Sequence, residues 1–226
     1  MSTEGDDAAP ARKPVTRPGP RFAAAVEWAA ELHRDQAKKG ADTPYLAHLL
    51  GVAALVLDHG GSEREAIAAL LHDSIEDAGV SSKEIRTRFG AKVARIVEGC
   101  TDVKVGGKKA TQARVKKRAA KNWTKRKRRT LRHLADPSTP ASVLRVRAAD
   151  SLWNARGIVA DLRRHGPEVW QRFHVGAVDQ LWYHRSVSVV LSERLPGTLT
   201  DELRVAVRDM ERLAGWWFDV GDPQRP

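Results

Sequence analysis

Apolar side chains recur along most of the chain at the three- and four-residue spacing of amphipathic helices. No segment shows the two-residue alternation that is typical of a half-buried strand. Ser62 followed by Glu65, and Ser81 followed by Glu84, have the spacing of a capping box, which marks the start of a helix. The pattern predicts helices over residues 21–38, 46–58, 63–77, 82–90, 91–100, 113–134, 142–158, 167–195 and 201–214. We therefore expect an all-α fold, a single-domain helical bundle.

The two ends of the chain differ from this central pattern. Residues 1–20 contain four prolines and almost no large apolar side chain, so we expect a disordered tail there. The main domain covers residues 21–195, and residues 196–226 form a C-terminal helical extension after a Pro-Gly break. A chain of 226 residues, 42% of them hydrophobic, suits one domain with one sizeable core.

Cys100 is the only cysteine, so the chain can form no intramolecular disulfide, and we expect this residue to be small apolar filling of the core. No run of eighteen apolar residues is present, which argues against a membrane span. No apolar stretch precedes Arg21, which argues against a secretory signal. We therefore expect a soluble, cytoplasmic protein with no membrane partner.

The net charge of +11 comes from one part of the chain. Fourteen Lys or Arg residues and no acidic residue lie between Asp102 and Asp136, so the rest of the chain is slightly acidic. The basic segment, residues 104–132, is either a solvated face, a rim that attracts phosphates, or a surface for RNA on which Trp123 stacks a base. Trp123, Leu131 and Leu134 also suit docking onto the bundle. We favour a rim that docks through this apolar face.

Four ionisable side chains cluster between His72 and Asp77. On a helix, His72 and Glu76 share one ridge and Asp73 and Asp77 share the next, beside an apolar stripe. A helix that buries this stripe carries the polar groups towards the interior, where they need a partner or a metal. An imidazole with carboxylates suits a divalent cation. The alternative is an exposed acidic helix end with an incidental histidine.

Two more ionisable residues occupy positions where apolar side chains are expected. His48 lies at the start of the second predicted helix, and Asp150 lies on the apolar side of the helix over residues 142–158. Each alone is more often structural, but the set with His72 and Asp73 is less easily explained by chance. The sequence alone predicts a divalent cation here.

The order of these residues resembles that of HD-superfamily phosphohydrolases, in which a histidine, an adjacent His-Asp pair and a distant aspartate hold one divalent metal. The flanking segments narrow the resemblance to the hydrolase domain of RelA/SpoT-type proteins, over about residues 21–195. These segments are His33-Arg34-Asp35-Gln36, Lys38-Lys39-Gly40, Thr43-Pro44-Tyr45-Leu46-Ala47-His48, residues 69–77, Phe89-Gly90, Thr101-Asp102 and Arg147-Ala148-Ala149-Asp150 with Asn154. The chain is similar to a stand-alone small alarmone hydrolase.

The resemblance implies an HD-type bundle with a central metal site. The implied ligands are His48, His72, Asp73 and Asp150, and the usual ion is manganese. Glu76 and Asp77, one helical turn beyond the ligands, are in reach of a nucleophilic water, and the resemblance implies that they orient it or take its proton. The implied contacts to the nucleotide and its phosphates come from Lys38, Lys39, Arg147 and Asn154.

The implied activity is hydrolysis of the 3′-pyrophosphate of an alarmone nucleotide such as ppGpp. Such an enzyme could also act as the antitoxin to a toxic alarmone synthetase. The same chemistry on another nucleotide, or on a pyrophosphorylated RNA 3′ end, is the first alternative. A non-catalytic toxin-binding partner is an alternative of another class. Glu76 and Asp77, present beside all four ligands, argue against an inactive protein.

The chain departs from the family pattern at two positions. Relatives have Lys or Arg directly after the last metal aspartate and His or Tyr before the asparagine, where this chain has Ser151 and Trp153. These changes alter the charge and stacking of the pocket and bear on which nucleotide binds. Trp182 and Tyr183 lie near the place of a family aromatic, and the sequence leaves open which of them faces the pocket.

Overall fold

The computed structural model describes residues 15–38, 42–101 and 112–215, apart from the side chains of residues 112–122. Within these ranges the only strand-like contact is a single bridge between Ala37 and Pro44, and the regular elements are helices. The predicted all-α bundle is therefore confirmed. The helices are α1 Pro20–Leu32, α2 Tyr45–Asp58, α3 Glu63–Leu71, α4 Ser74–Asp77, α5 Ser82–Cys100, α6 Gln112–Ala135, α7 Ala141–His165, a 3₁₀ segment Gly166–Arg172, α8 Ala177–Arg194 and α9 Thr198–Leu213.

Two helices, α3 and α7, form the centre of the bundle. α7 packs against α2, α3, α5, α8 and α9, and α3 packs against α1, α2, α5 and α7. The side chains of residues 66–71 in α3 are fully buried, and α7 is buried along most of its length. Because other helices surround both elements, a polar side chain that either one carries inwards is removed from water.

The helix starts follow the predicted capping chemistry. Both capping boxes are present: the Ser62 hydroxyl accepts from the Glu65 backbone N–H, and Ser81 and Glu84 make the same reciprocal contacts. Gly90, which separates the two predicted helices over residues 82–100, has a φ of 80° and kinks α5. A left-handed φ of this kind strains any residue with a side chain, so glycine is required there.

The first predicted helix is shorter than expected. It was expected over residues 21–38, but α1 ends at Leu32. Beyond it the chain pairs with the segment before α2: the Lys38 N–H donates to the Thr43 carbonyl (2.8 Å), and the Tyr45 N–H donates to the Gln36 carbonyl (2.8 Å). These backbone bonds replace the helical ones and hold Lys38 close to the start of α2.

The predicted helix over residues 63–77 is interrupted at its centre. α3 ends at Leu71 and the single turn α4 begins at Ser74, so the continuous ridges expected for the His72–Asp77 cluster are broken. Two side chains form hydrogen bonds with backbone carbonyl groups there. The Ser74 hydroxyl donates to the Leu71 carbonyl (2.7 Å), and His72 Nδ1 lies 2.8 Å from the Ala69 carbonyl.

The later helices also differ in extent. α7 continues two turns beyond the expected end at Ile158, because Val159 and Leu162 are still buried against neighbouring helices. The single helix expected over residues 167–195 is wrong. The chain forms the 3₁₀ segment, becomes extended at Phe173 (ψ 152°) and resumes as α8 only after Gly176.

Segments on both sides of the main domain contact the bundle. Disorder was expected for residues 15–19, but hydrogen bonds hold this segment on the bundle. The Thr16 hydroxyl donates to the Gly61 carbonyl (2.9 Å), and the Gly19 N–H donates to Glu63 Oε1 (2.7 Å). The rest of the predicted tail, residues 1–14, lies outside the described residues, as do residues 216–226. α9, in the predicted extension, packs against α7 and α8. The division of the chain at residue 196 stays a prediction.

Cys100 is buried at the end of α5, as expected for a small apolar residue. Among the described residues, no helix combines the length and the apolar character needed to cross a membrane.

The contact between α2 and α7 depends on a glycine, which gives a test of the packing. A Cβ atom on Gly51 would lie 2.4 Å from the ring of Trp153. We expect Gly51→Ala to lower the free energy of unfolding by about 1–3 kcal/mol, the usual cost of overpacking, although alanine favours helices. Chemical denaturation measures this change.

Gly157→Ala on α7 is the matched control. Its Cβ would meet only the end of the long Lys38 side chain, with Nζ at 2.9 Å and Cε at 3.9 Å. This variant should be unchanged or more stable by about 0.5–1 kcal/mol. Equal stability of Gly51→Ala and the parent protein would contradict the packing described here.

Candidate metal centre and substrate cavity

Four side chains from three parts of the bundle meet at its centre. His48 lies in the first turn of α2, His72 and Asp73 lie at the junction of α3 and α4, and Asp150 lies midway along α7. One ligand atom each of His48, His72 and Asp150 lies within 4.8 Å of the other two. The tertiary structure therefore brings together residues that lie far apart in the sequence: His48 and Asp150 are 102 positions apart.

The contact distances place these atoms around one point. His48 Nε2 lies 3.4 Å from His72 Nε2 and 3.5 Å from Asp150 Oδ1. Asp73 Oδ2 lies 3.1 Å from His72 Nε2 and 4.0 Å from His48 Nε2. Atoms that bind one ion at about 2.0–2.2 Å lie roughly 3–3.6 Å apart in tetrahedral or octahedral geometry. The separations fit one divalent cation, with Asp73 slightly outside the tightest group.

The ring of His72 is oriented to present Nε2 to this point. Its Nδ1 lies 2.8 Å from the Ala69 carbonyl, and a carbonyl can only accept, so Nδ1 carries the proton. Nε2 then keeps its lone pair for a metal ion. A hydrogen bond from the far ring nitrogen to a carbonyl is the usual way in which proteins fix a metal-binding histidine.

The protonation states follow from burial and from the acidic neighbours. Burial lowers the pKa of His48 to about 4, so its ring is neutral at pH 7. Burial alone would raise the pKa of Asp150, but His72 and Arg147 lower it to about 2. Burial opposes the charged form of His72 as well, yet Asp73 and Asp150 raise its pKa above the ordinary value. The two carboxylates thus attract positive charge to this point, which a divalent cation supplies with both rings neutral.

Tyr45 is a member of this centre that sequence reasoning missed. Its hydroxyl donates to Asp73 Oδ2, the oxygen nearest the two histidines. Burial and the charge of Asp73 raise the pKa of Tyr45, so the phenol stays protonated and remains a donor. Tyr45 lies one helical turn before His48, which is the signal that could have pointed to it.

A cavity of about 340 Å³ opens beside the metal-ligand atoms. Several residues predicted from sequence line it, whereas His72 is buried behind the wall. Asp77 and Lys39 are not among the lining residues, and Lys39 lies outside the described residues. The predicted residues in the wall are Lys38, His48, Asp73, Glu76, Arg147, Asp150, Ser151 and Asn154.

The two predicted catalytic carboxylates occupy different environments. Glu76 is half-buried in the cavity wall. Asp77 is exposed, and its Oδ2 accepts a hydrogen bond from Gln36 Nε2 (2.9 Å). Gln36 Oε1 in turn lies 2.6 Å from His33 Nδ1. Of these two carboxylates, Glu76 alone therefore faces the space in which a substrate would lie.

The predicted nucleotide-binding side chains are held by the protein itself. Asn154 Nδ2 donates to Asp150 Oδ1 (2.7 Å), so Asn154 fixes a carboxylate of the metal centre. Arg147 donates to the Tyr183 hydroxyl (3.1 Å) and lies 3.6 Å from Asp150 Oδ2. The ammonium of Lys38 lies over Gly157, where the missing side chain makes room for it.

Helix α6 supplies part of the cavity wall. Trp123 is buried edge-on against Tyr183 (5.8 Å between ring centroids) and Trp182 (6.5 Å), and Leu134 is fully buried, so the predicted docking face is confirmed. Lys127 Nζ lies 4.5 Å from the centre of the Tyr183 ring, in the cavity wall. Tyr183 lines the cavity and Trp182 does not, which answers the question that the sequence left open.

Trp153 does not line this cavity but an adjoining one of about 550 Å³. Several residues of the first cavity were not singled out from sequence, because they come from the far part of α7, from the end of the 3₁₀ segment and the residue after it, and from α8. They are Ile158, Asp161, Arg172, Phe173, Gln180 and His184.

Comparisons with known proteins agree with the geometry. The family model described as the HD domain matches residues 25–176. The guanosine-3′,5′-bis(diphosphate) 3′-pyrophosphohydrolase MESH1 of Xenopus tropicalis is 37% identical over 154 residues, which cover 67% of this chain and 74% of the relative. The protein of the same name from Homo sapiens is 36% identical over 154 residues, with the same shares of both chains covered.

Solved structures show the same fold. One, described as a metazoan ortholog of SpoT that hydrolyses ppGpp, has a TM-score of 0.62 and 25% identity, and the match covers 88% of this chain and 98% of the other. A protein of Listeria monocytogenes has a TM-score of 0.60 and 25% identity, covering 74% and 99% of the two chains. The family model and these relatives together show that the chain belongs to the HD domain family.

Proposed function

We propose that the protein is a metal-dependent hydrolase that removes the 3′-pyrophosphate of guanosine-3′,5′-bis(diphosphate), ppGpp. One observation carries the proposal: the His48, His72, Asp73 and Asp150 cluster opens into a cavity whose wall also holds cationic side chains. A divalent cation beside cations in one pocket suits a substrate with clustered phosphates. The relatives that are named for this activity support the choice of substrate.

In this proposal His48, His72, Asp73 and Asp150 are the metal ligands. When bound, the ion supplies Lewis-acid activation of a water and of the attacked phosphate group. Tyr45 orients Asp73, and Asn154 orients Asp150, through the hydrogen bonds described above. These contacts hold the carboxylate oxygens in place and reduce their freedom to turn away from the ion.

The reaction transfers the pyrophosphoryl group from the ribose to water. The oxygen of a water bonds to the phosphorus attached to the ribose 3′ oxygen, and the bond between that phosphorus and the 3′ oxygen breaks. Glu76, in the cavity wall, takes a proton from the water, and this proton then passes to the 3′ oxygen, so that GDP and pyrophosphate leave and Glu76 is again a carboxylate. Asp77, outside the wall, acts through its contact with Gln36 as a positioning residue.

Lys38, Lys127 and Arg147 are the cations proposed to face the phosphates. All three line the cavity, and Arg147 is fixed by Tyr183 and Asp150. Asn154 remains a proposed nucleotide contact in addition to its bond with Asp150. Lys39 keeps its proposed phosphate contact on sequence grounds alone.

Manganese as the ion and the cytoplasm as the location are proposals that rest on the family resemblance. RNA and a toxic synthetase also stay sequence-based predictions as partners. Nothing in the described part of the structure favours either over a free nucleotide. We therefore put forward no second function.

The proposal is tested by incubating the purified protein with Mn²⁺ and ppGpp and separating the products. We expect equal amounts of GDP and pyrophosphate and no single phosphate, because the bond to the 3′ oxygen is the one that breaks. Release of orthophosphate, or turnover of other nucleotides with no turnover of ppGpp, would show that the assigned substrate is wrong.

Single variants in the same assay separate the two carboxylates. Glu76→Gln should lose at least about a hundredfold in kcat, the usual range for general acid–base catalysis, with metal content unchanged. Asp77→Asn keeps a group that can accept from Gln36 and should lose much less. The assigned roles fail if Glu76→Gln turns over as fast as the parent protein.

The basic segment yields a further test through two lysines on α6. Lys127 lines the cavity, whereas Lys125 is exposed. Lys127→Ala should lower kcat/KM for ppGpp roughly tenfold, the scale of one hydrogen bond to a charged group, mainly through KM. Lys125→Ala should change it less than about twofold at physiological salt, because an exposed charge is screened.

Steady-state kinetics at two salt concentrations measures both effects. Equal effects of the two variants would show that the segment acts by its overall charge and not through Lys127. Loss of activity on RNA alone would indicate an RNA-binding surface instead.

A further inference from the structure

The cavity contains one carboxylate that the proposed reaction does not use. Asp73 and Asp150 belong to the metal centre and Glu76 is the proposed base, but Asp161 also lines the cavity and lies elsewhere on α7. A second negative site would repel a phosphorylated substrate. Asp161 therefore serves either a neighbouring cation or a part of the substrate that carries no phosphate.

The helical spacing of α7 places Asp161 far from the metal centre. Asp161 lies eleven positions after Asp150, which is just over three turns, so the two side chains share one face about 16 Å apart along the axis. Asn154 and Gly157 lie on the same face between them. The row of Asp150, Asn154, Gly157 and Asp161 thus begins at a metal ligand and ends about 16 Å further along the cavity wall. This length suits a nucleotide that carries a diphosphate.

The surroundings of Asp161 differ from those of the metal centre. Arg172 donates to Asp161 Oδ2, and its guanidinium carbon lies 5.5 Å from the centre of the Phe173 ring. Asp161 and Arg172 are each about one-fifth exposed, with values of 19% and 20% for their side chains. Ile158 and Phe173 complete this part of the wall. This end offers apolar and aromatic surface with one carboxylate that is paired with a guanidinium.

The ion pair leaves acceptor capacity on Asp161. Oδ2 is taken by Arg172, and Oδ1 has no hydrogen-bond partner among the residues that the structure describes. A carboxylate has about four lone-pair sites, so both oxygens can accept further bonds. Arg172 cancels the charge that would repel a polyanion, and it holds the carboxylate in one orientation.

We propose that Asp161 determines base specificity by accepting hydrogen bonds from the N1–H and the 2-amino group of guanine. This inference rests on the proposed function and names the residue that reads its substrate. Guanine presents two adjacent donors on this edge, which match the two oxygens of one carboxylate. Adenine presents an acceptor at N1 and has no 2-amino group, so it leaves Asp161 without these partners. Ile158 and Phe173 provide the apolar contact for the ring.

The competing explanation is that Asp161 only positions Arg172 for a phosphate. The two explanations differ in one measurable respect. Loss of a base contact changes the ratio of activities on guanine and adenine nucleotides, whereas loss of a phosphate contact lowers both activities by the same factor.

The test compares three nucleotides that carry the same 3′ and 5′ diphosphates and differ in the base: guanine, hypoxanthine and adenine. We expect the parent protein to prefer guanine over adenine in kcat/KM by about 5–150-fold, the range for a bidentate base contact. Hypoxanthine, which lacks only the 2-amino group, should fall between them. Asp161→Asn should reduce the guanine preference to within about threefold.

Two variants serve as controls. Asp209→Asn removes an aspartate that pairs with Arg163 and Arg212 away from this cavity, and it should keep the guanine preference. Arg172→Gln should lower activity on all three nucleotides and keep their order. Thermal unfolding of every variant verifies that each one is folded.

A binding measurement separates this inference from the proposed reaction. Calorimetry of the metal-free protein with GDP, IDP and ADP reports the base preference without turnover. If ppGpp is not hydrolysed but GDP binds more tightly than ADP, and Asp161→Asn abolishes the difference, the reaction fails and the base contact stands. The base contact is overturned if the parent protein binds GDP and ADP equally, if Asp161→Asn keeps the preference, or if it weakens binding of all three nucleotides by one factor.

Discussion

The burial of two imidazoles and two carboxylates at one point of an apolar core is the constraint on which the rest of the structure depends. His48, His72 and Asp150 are each less than one-tenth exposed, and ionised groups at such positions cost several kcal/mol unless they are compensated. Their mutual contacts and the Tyr45 hydroxyl compensate part of this cost, and a divalent cation would compensate the rest. α3 and α7 therefore have to meet at the centre, where the other helices exclude water around them.

α7 organises the chemistry as well as the packing. Its apolar faces join the remaining helices, while one polar face carries Asp150, Asn154 and Asp161 in a row along the cavity. The same helix thus sets the position of the metal ligands and the distance to the far end of the substrate. Gly157 interrupts this face with a gap that the ammonium of Lys38 occupies. A rigid, buried helix keeps these distances fixed, which is what selective binding of one long, charged molecule requires.

The sequence was informative where a residue broke a local pattern. The capping boxes were visible because their spacing is short, and His48 and Asp150 were visible because they interrupt apolar stripes. The role of Tyr45 was missed because a partly buried tyrosine is typical of any core, and its place one turn before His48 is a signal only once His48 is taken as a ligand. Asp161 and Arg172 meet only because the 3₁₀ segment folds back onto α7, which no local spacing reports. For the same reason the helix ends were predicted less well than the helices: backbone and side-chain bonds formed in the folded chain decide them.

The most direct test of the central claim is the position of the ion itself. Crystals grown with Mn²⁺ and measured at its absorption edge should show one strong anomalous peak per chain. The account predicts this peak at about 2.0–2.4 Å from the ligand atoms of His48, His72, Asp73 and Asp150. A peak bound by other residues, or no peak at this cluster in protein that hydrolyses ppGpp with Mn²⁺, would contradict it.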